Sequence, residues 1–284
     1  MENFNFKFDP KDALSEYLQP VFFEKEVLVR YLYDSRYRCE FCSETYGMIY
    51  FNGDSIPFGV NKNGKIIMWL GDVKNLPLKE KIYLLSYNTE SDHEIYSEFY
   101  EAQINAAFTE PIKEVEIFIQ KSKLNLVFQN KFGFNLFLKS CSEMDELFKL
   151  CSKYKKILIG GEDDFKRFIS EWNEILIEDL NKKELKKHLN MKDEGVRRIK
   201  LLEKFIKKVL GVRENIILPY FVLYDLRIWS DHKECQEKFG LSIQRLKINK
   251  EDTNNYRLIY QKLVMEIVKF HDRLLKEVEK YAKT

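Results

Sequence analysis

The chain has 284 residues, 45% of them apolar and 32% charged, with a formal net charge of +2. That length supplies one large domain or two smaller ones, each with a core, and the balance is ordinary for a soluble globular protein. A near-neutral whole excludes a molecule held to nucleic acid by its overall charge, and five cysteines without framework spacing fit a reducing compartment better than a disulfide scaffold.

The start, MENFNFKFDPKD, has no cationic stretch followed by an apolar run, so it does not read as a secretory leader. The longest apolar run, Ile216 to Tyr224, is interrupted by Pro219 and is too short to span a bilayer. The expectation is a cytoplasmic protein with no membrane partner.

Residues 12–33 read as helical on both sides of Pro20, which should break the segment. Four short runs rich in aromatic and β-branched residues follow: Tyr37–Cys42, Gly47–Phe51, Ile56–Val60 and Ile66–Leu70. Asn52-Gly53-Asp54 and Asn61-Lys62-Asn63-Gly64 stand between them, and Asn-Gly flanked by apolar runs signals a hairpin. The pattern predicts an antiparallel meander of about four strands. Residues 78–88 and 94–108 read as helices, and Val115 to Leu138 is ambiguous between helix and strand.

Paired glycine, Gly160-Gly161, is the expected domain boundary. Beyond it nearly everything reads as helix: Asp163–Leu180, Lys182–His188, Val196–Leu210 closed by Gly211, Ile216–Ser230 with Pro219 in its first turn, and Asn254–Lys283. Residues 233–253 are looser. The last helix carries Ile259, Leu263, Ile267, Phe270, Leu274, Val278 and Tyr281 in steps of three and four, which make one apolar face. The expected fold class is therefore α+β. A mixed domain with a small antiparallel sheet spans 1–160 as a sensor or partner-binding module, and an all-helical bundle spans 161–284.

Four groups of residues are candidates for chemistry. Between Asn181 and Arg213 twelve Lys or Arg face four acids. That bias suits a phosphate-binding face, with Arg197, Arg198, Lys207 and Lys208 as nucleic-acid-binding candidates, or else a solvated helix surface. Cys39-x-x-Cys42 has no second pair to complete a zinc site, since Cys141 and Cys151 are too widely spaced, and the two read as structural cysteines. Asp92-His93-Glu94, with Glu98 and Glu101, reads as an acidic first helical turn that complements the dipole. No GxxxxGK[ST] phosphate loop and no GxSxG elbow occurs, and nothing in the pattern calls for a metal or another cofactor.

The fourth candidate is Arg227-Ile-Trp-Ser-Asp-His232, at the end of a segment apolar on every side. A segment of that kind belongs in a core or an interface, and the guanidinium at its end needs a partner or a cleft. Asp231, four residues on, can pair with Arg227 on one helix face, and Asp225 offers a second carboxylate if the fold brings it close. The same residues also suit a site: His232 to move a proton and Arg227 to hold a phosphate. Arg followed by four to six residues and then His, late in a compact helical domain, resembles the HEPN ribonuclease motif. The likeness covers Asp163–Thr284 and rests on Arg227 and His232. It implies a catalytic Arg–His pair that meets its counterpart across a homodimer interface and cuts RNA without metal, leaving a cyclic phosphate. It also implies a place in antiphage defence or a toxin–antitoxin pair, with an antitoxin or other protein partner. Read from the residues alone, a non-catalytic bundle that dimerises or holds a partner stands as the alternative.

Overall fold

The computed structural model describes residues 6–7, 14–139, 159, 161–192, 195–232 and 235–281. The fold is α+β, and the chain divides into two compact units, Met1–Ile112 and Lys113–Thr284. The division falls earlier than the expected boundary at Gly160-Gly161, of which Gly160 lies outside the described residues, as do Cys141 and Cys151. The ambiguous stretch beginning at Val115 forms a long helix whose packing partner is the C-terminal helix, so it belongs to the helical unit.

The first unit is built on a six-stranded antiparallel sheet. Its strands are β1 (Pro20–Phe23), β2 (Arg38–Phe41), β3 (Tyr46–Phe51), β4 (Asp54–Val60), β5 (Ile66–Trp69) and β6 (Asn88–Thr89), in the order β2-β3-β4-β5-β1-β6. The four expected strands are β2 to β5. Asn52 and Gly53 both take positive φ, 49° and 84°, as the two-residue turn between β3 and β4 demands. The outer two strands correct the helical reading of 12–33 and of the end of 78–88. Pro20-Val21-Phe22-Phe23 is buried at every position. A strand covered on both faces loses the alternation that identifies strands in sequence, and proline is tolerated at its first residue.

Among the described residues this unit also carries the helices α1 (Val27–Tyr33), α2 (Leu70–Lys74), α3 (Leu78–Leu85) and α4 (Glu98–Gln103). Arg30 of α1 is pinned between aromatic rings. It pairs with Glu80 at 2.9 Å, bonds the Tyr37 hydroxyl and lies 4.5 Å from the Tyr83 ring centroid.

The second unit is helical: α5 (Lys113–Phe132), α6 (Glu162–Asn173), α7 (Lys182–His188), α8 (Arg198–Lys208), α9 (Leu218–Asp231), α10 (Gln236–Arg245) and α11 (Tyr256–Lys280). α6 runs directly into a π-helical turn, Glu174–Glu178. α9 packs on α6, α10 and α11, and α5 packs along α11. On α11 the apolar stripe read from the sequence is buried from Ile259 to Val278, each such side chain contributing about 1.5–3 kcal/mol through removal from water. Gly211 closes α8 at φ 72°, a conformation that favours glycine. The looser stretch after Asp231 carries α10, whose amphipathic face is too short to stand out in sequence. Among the described residues no helix is long and apolar enough to cross a membrane.

Candidate functional site

The segment from Leu218 forms α9 as its pattern predicts. Pro219 sits in the first turn, where no intrahelical N–H is lost. Tyr220, Val222, Leu223, Leu226 and Trp229 are buried on the bundle side. The other side holds Phe221, Tyr224, Arg227, Ile228 and Asp231, all less buried, in steps of three and four that make one face.

The two acids flanking Arg227 have different roles. Asp225 is nearly buried and is claimed by α10: Arg245 bonds it at 2.7 Å and Lys238 at 3.1 Å. Asp225 therefore ties α10 to α9, and Arg227 pairs with Asp231 instead, at 3.2 Å. The Arg227 and Asp231 side chains are 37% and 36% exposed. An exposed i,i+4 pair contributes about 0.3–0.5 kcal/mol, so Arg227 is not required to satisfy a buried charge. His232 is the exposed C-terminal cap, with extended backbone at φ −129° and its N–H bonded to the Ile228 carbonyl. Arg227, Asp231 and His232 thus stand together at an open helix end.

The four basic candidates do not form one patch. Arg197 and Arg198 begin α8, while Lys207 and Lys208 lie at its other end, about 15 Å away at 1.5 Å per residue. Lys207 is paired with Glu203 at 2.8 Å, and Glu203 also takes Lys200 at 2.8 Å. Lys207 and Lys208 suit the negative end of their helix dipole, which accounts for them without a ligand. Arg197 is different. Its guanidinium lies 5.4 Å from the Tyr224 ring centroid on α9, and Lys200 lies 4.5 Å from that of Phe221. The two helices therefore run antiparallel here, and Arg197 stands about one helical turn from Arg227.

Beside this seam is a pocket of about 230 Å³ lined by Lys182, Arg197, Arg198, Tyr224 and Glu178, with Gly195, Val196, Ile177 and Ile199 completing the wall. Arg198 bonds Glu178 at 2.6 Å. Neither Tyr224 nor Glu178 is marked by the sequence. Both are recruited by packing of elements distant in the chain.

The remaining candidates are structural. Cys39 lies in β2 opposite Ile49, and Cys42 follows the strand. Asp92 does not open a helix. It accepts hydrogen bonds from the side-chain amides of Asn61 (3.0 Å) and Asn63 (3.1 Å) and so fastens the turn between β4 and β5. α4 starts later, at Glu98, capped by Ser97. Glu98 and Glu101 do form the acidic first turn of α4, whereas Asp92 lies outside it, because an Asp that anchors a turn and an Asp in a first helical turn look alike in sequence. Among the described residues no group of three or more His, Cys, Asp or Glu is arranged to hold a metal ion.

A buried polar cluster lies at the centre of the helical unit. Lys121 of α5 donates to Asp179 at 2.6 Å and to the Ile175 carbonyl of the π turn at 3.0 Å. Tyr220 of α9 and Nε2 of His271 on α11 are 2.7 Å apart. Burial, reinforced by the Lys121 charge, lowers the His271 pKa to about 3, and burial followed by the Asp179 charge pushes the Tyr220 hydroxyl well above its ordinary value. Both are therefore neutral near neutral pH.

No protein-family model, no curated protein and no solved structure matches this chain, so the reading of the site rests on its own geometry.

Proposed function

We propose that the exposed end of α9 is the centre of a metal-independent endoribonuclease, with Arg227 and His232 acting on the RNA backbone. One observation supports this reading most. The buried acid of the segment, Asp225, is satisfied by Arg245 and Lys238, which leaves Arg227 and His232 open to solvent and unneeded for the core. The chemistry uses the substrate's own nucleophile. His232 takes the proton from a ribose 2′-hydroxyl, whose oxygen attacks the neighbouring phosphorus. The bond from phosphorus to the 5′ oxygen breaks, and that oxygen receives a proton as it leaves. The products are a 2′,3′-cyclic phosphate and a 5′-hydroxyl. Arg227 offsets charge that develops on the phosphoryl oxygens, a role for which its planar fork suits it. For that task it exchanges Asp231 for phosphate, and the weakness of an exposed pair makes the exchange inexpensive. A second copy of the chain, meeting the first through this face, supplies a second Arg–His pair and the proton for the leaving oxygen. The resemblance to HEPN ribonucleases, and with it a role in antiphage defence or as a toxin held by an antitoxin, belongs to this proposal.

The test is cleavage of single-stranded RNA by the purified chain in the presence of EDTA, with mapping of product ends. Cyclic-phosphate ends are expected, with a loss of 10²-fold or more in His232→Ala and Arg227→Ala. Wild-type RNA turnover unaffected by either substitution would sink the assignment.

The ion pair itself favours a second reading, in which the same face docks a protein partner and Asp231 keeps Arg227 in place. On that reading both substitutions weaken partner or self-association, and the chain cleaves no RNA.

A further inference from the structure

The pocket at the start of α8 has features that the cleavage chemistry does not use. Among the described residues its wall holds three cationic side chains, Lys182, Arg197 and Arg198, and one carboxylate, Glu178. The first turn of α8 has no acid and no side-chain cap, the reverse of what a helix N-terminus ordinarily selects. Arginines at that end add to the positive potential of the helix start, which suits an anion beyond the one charge that Glu178 supplies. The Nε of Arg198 is shut off from solvent and has no hydrogen-bond partner among the described residues, although the far end of the same guanidinium reaches Glu178. The rest of that side chain is about one-third exposed, so its outer face is open to the pocket. Finally, the Arg197 guanidinium lies 5.4 Å from the Tyr224 ring centroid, and bases stack on groups of both kinds.

We infer that this pocket seats one nucleotide, its phosphate among Lys182, Arg198 and the start of α8, and its base against the Arg197–Tyr224 pair. The size agrees: about 230 Å³ is below the range of drug-sized sites and holds one phosphorylated nucleoside at most. Position relates it to the proposed cleavage centre. Tyr224 precedes Arg227 by three residues on one face of α9, about 5 Å along the helix, so a base held at Tyr224 brings the adjoining phosphodiester within reach of Arg227. The inference rests on the ribonuclease reading for the identity of the strand, but the pocket's preference for a nucleotide does not. Free nucleotide and RNA present the same phosphate and base, and the experiment separates them.

Calorimetric titration of the full chain carrying Arg227→Ala and His232→Ala, with AMP in one arm and a short single-stranded RNA in the other, tests the site without turnover. Saturable binding at one site per chain is expected in at least one arm. Binding of AMP alone identifies a free nucleotide as the occupant, and binding of RNA identifies a strand. Arg197→Ala, at an exposed side chain and with folding checked by thermal melt, should weaken binding at least tenfold, and Tyr224→Leu should do the same. Glu178→Gln should tighten it, since it removes a carboxylate that lines the pocket. No saturable binding in either arm, or binding indifferent to Arg197→Ala, overturns the inference. Cleavage that is lost in His232→Ala but unchanged in Arg197→Ala at subsaturating RNA would remove the pocket and leave the ribonuclease reading standing. AMP binding by a chain that cuts no RNA would do the reverse.

Discussion

Two ion pairs in the helical unit consist of the same kinds of groups and do opposite things. Lys121 and Asp179 meet at 2.6 Å with side chains 5% and 4% exposed, whereas Arg227 and Asp231 meet at 3.2 Å with 37% and 36% exposed. The first pair is buried near Phe137, Tyr220 and His271. Its members are committed to each other. The second pair keeps its hydration and can exchange partners at little cost. Charge in the interior of this protein fixes α5 to the π turn and the residue after it, and charge at the end of α9 is available for chemistry. The lesson is that burial, more than pairing distance, separates a residue that holds a fold from one free to act on a ligand.

The sharpest way to break the comparison is to remove one member of each pair. Asp179→Ala leaves the Lys121 ammonium buried without its counter-ion and should cost about 3–5 kcal/mol, read as a large drop in the midpoint of urea unfolding. A loss below about 1 kcal/mol would mean that water reaches Lys121. Acid should act next. His271 is held neutral in the folded state, with its pKa at about 3 against 6.5 for a free side chain. The unfolded chain therefore binds the extra proton first. The contribution is complete above pH 6.5 and falls by about 1.4 kcal/mol per pH unit between 6.5 and the folded value. His271→Gln should flatten that part of the stability–pH curve, and an unchanged slope would assign it to other groups. Asp225→Ala, which releases two partly exposed cations, should cost about 2 kcal/mol by the usual worth of charged hydrogen bonds. Thermal melts would register it together with loosening of α10. Arg227→Ala should cost less than about 0.5 kcal/mol. A cost of several kcal/mol would show that the exposed pair is structural after all and weaken its assignment to RNA.

Much of this arrangement is legible in the sequence. Period-two runs separated by Asn-Gly gave the central strands, and period 3.6 gave α11 and α8. The apolar segment shows α9, while its sequence leaves open whether the charged end pairs within the helix or faces a cleft. What escaped has physical reasons. β1 is buried on both faces and carries no alternation. The basic run looked like one surface because charges adjacent in sequence occupy both ends of an 11-residue helix. Lys121, in the interior at 4% exposure, gives no sign in a lysine-rich chain that it is the one held by Asp179. His271 left a fainter trace: with Ile267, Leu274 and Val278 it falls at helical spacing on the apolar face, a position where a histidine is buried and not a ligand. The pocket between Glu178 and Tyr224 was out of reach, because it exists only where segments about 45 residues apart are packed together.

The π turn places Glu178 and Asp179 side by side in the chain but sends them to different destinations, Glu178 to Arg198 at the pocket and Asp179 to Lys121 in the interior. A widened turn has looser backbone hydrogen bonding than the α-helix around it, and the Ile175 carbonyl inside it is already spoken for by Lys121. Any occupant that draws Arg198 away from Glu178 thus pulls on a short lever whose other arm is the buried pair. Amide hydrogen exchange at residues 174–179 should then change when the pocket is filled, while exchange along the middle of α11 stays as it was. A pocket that fills without any response in that turn would mean the two arms move independently.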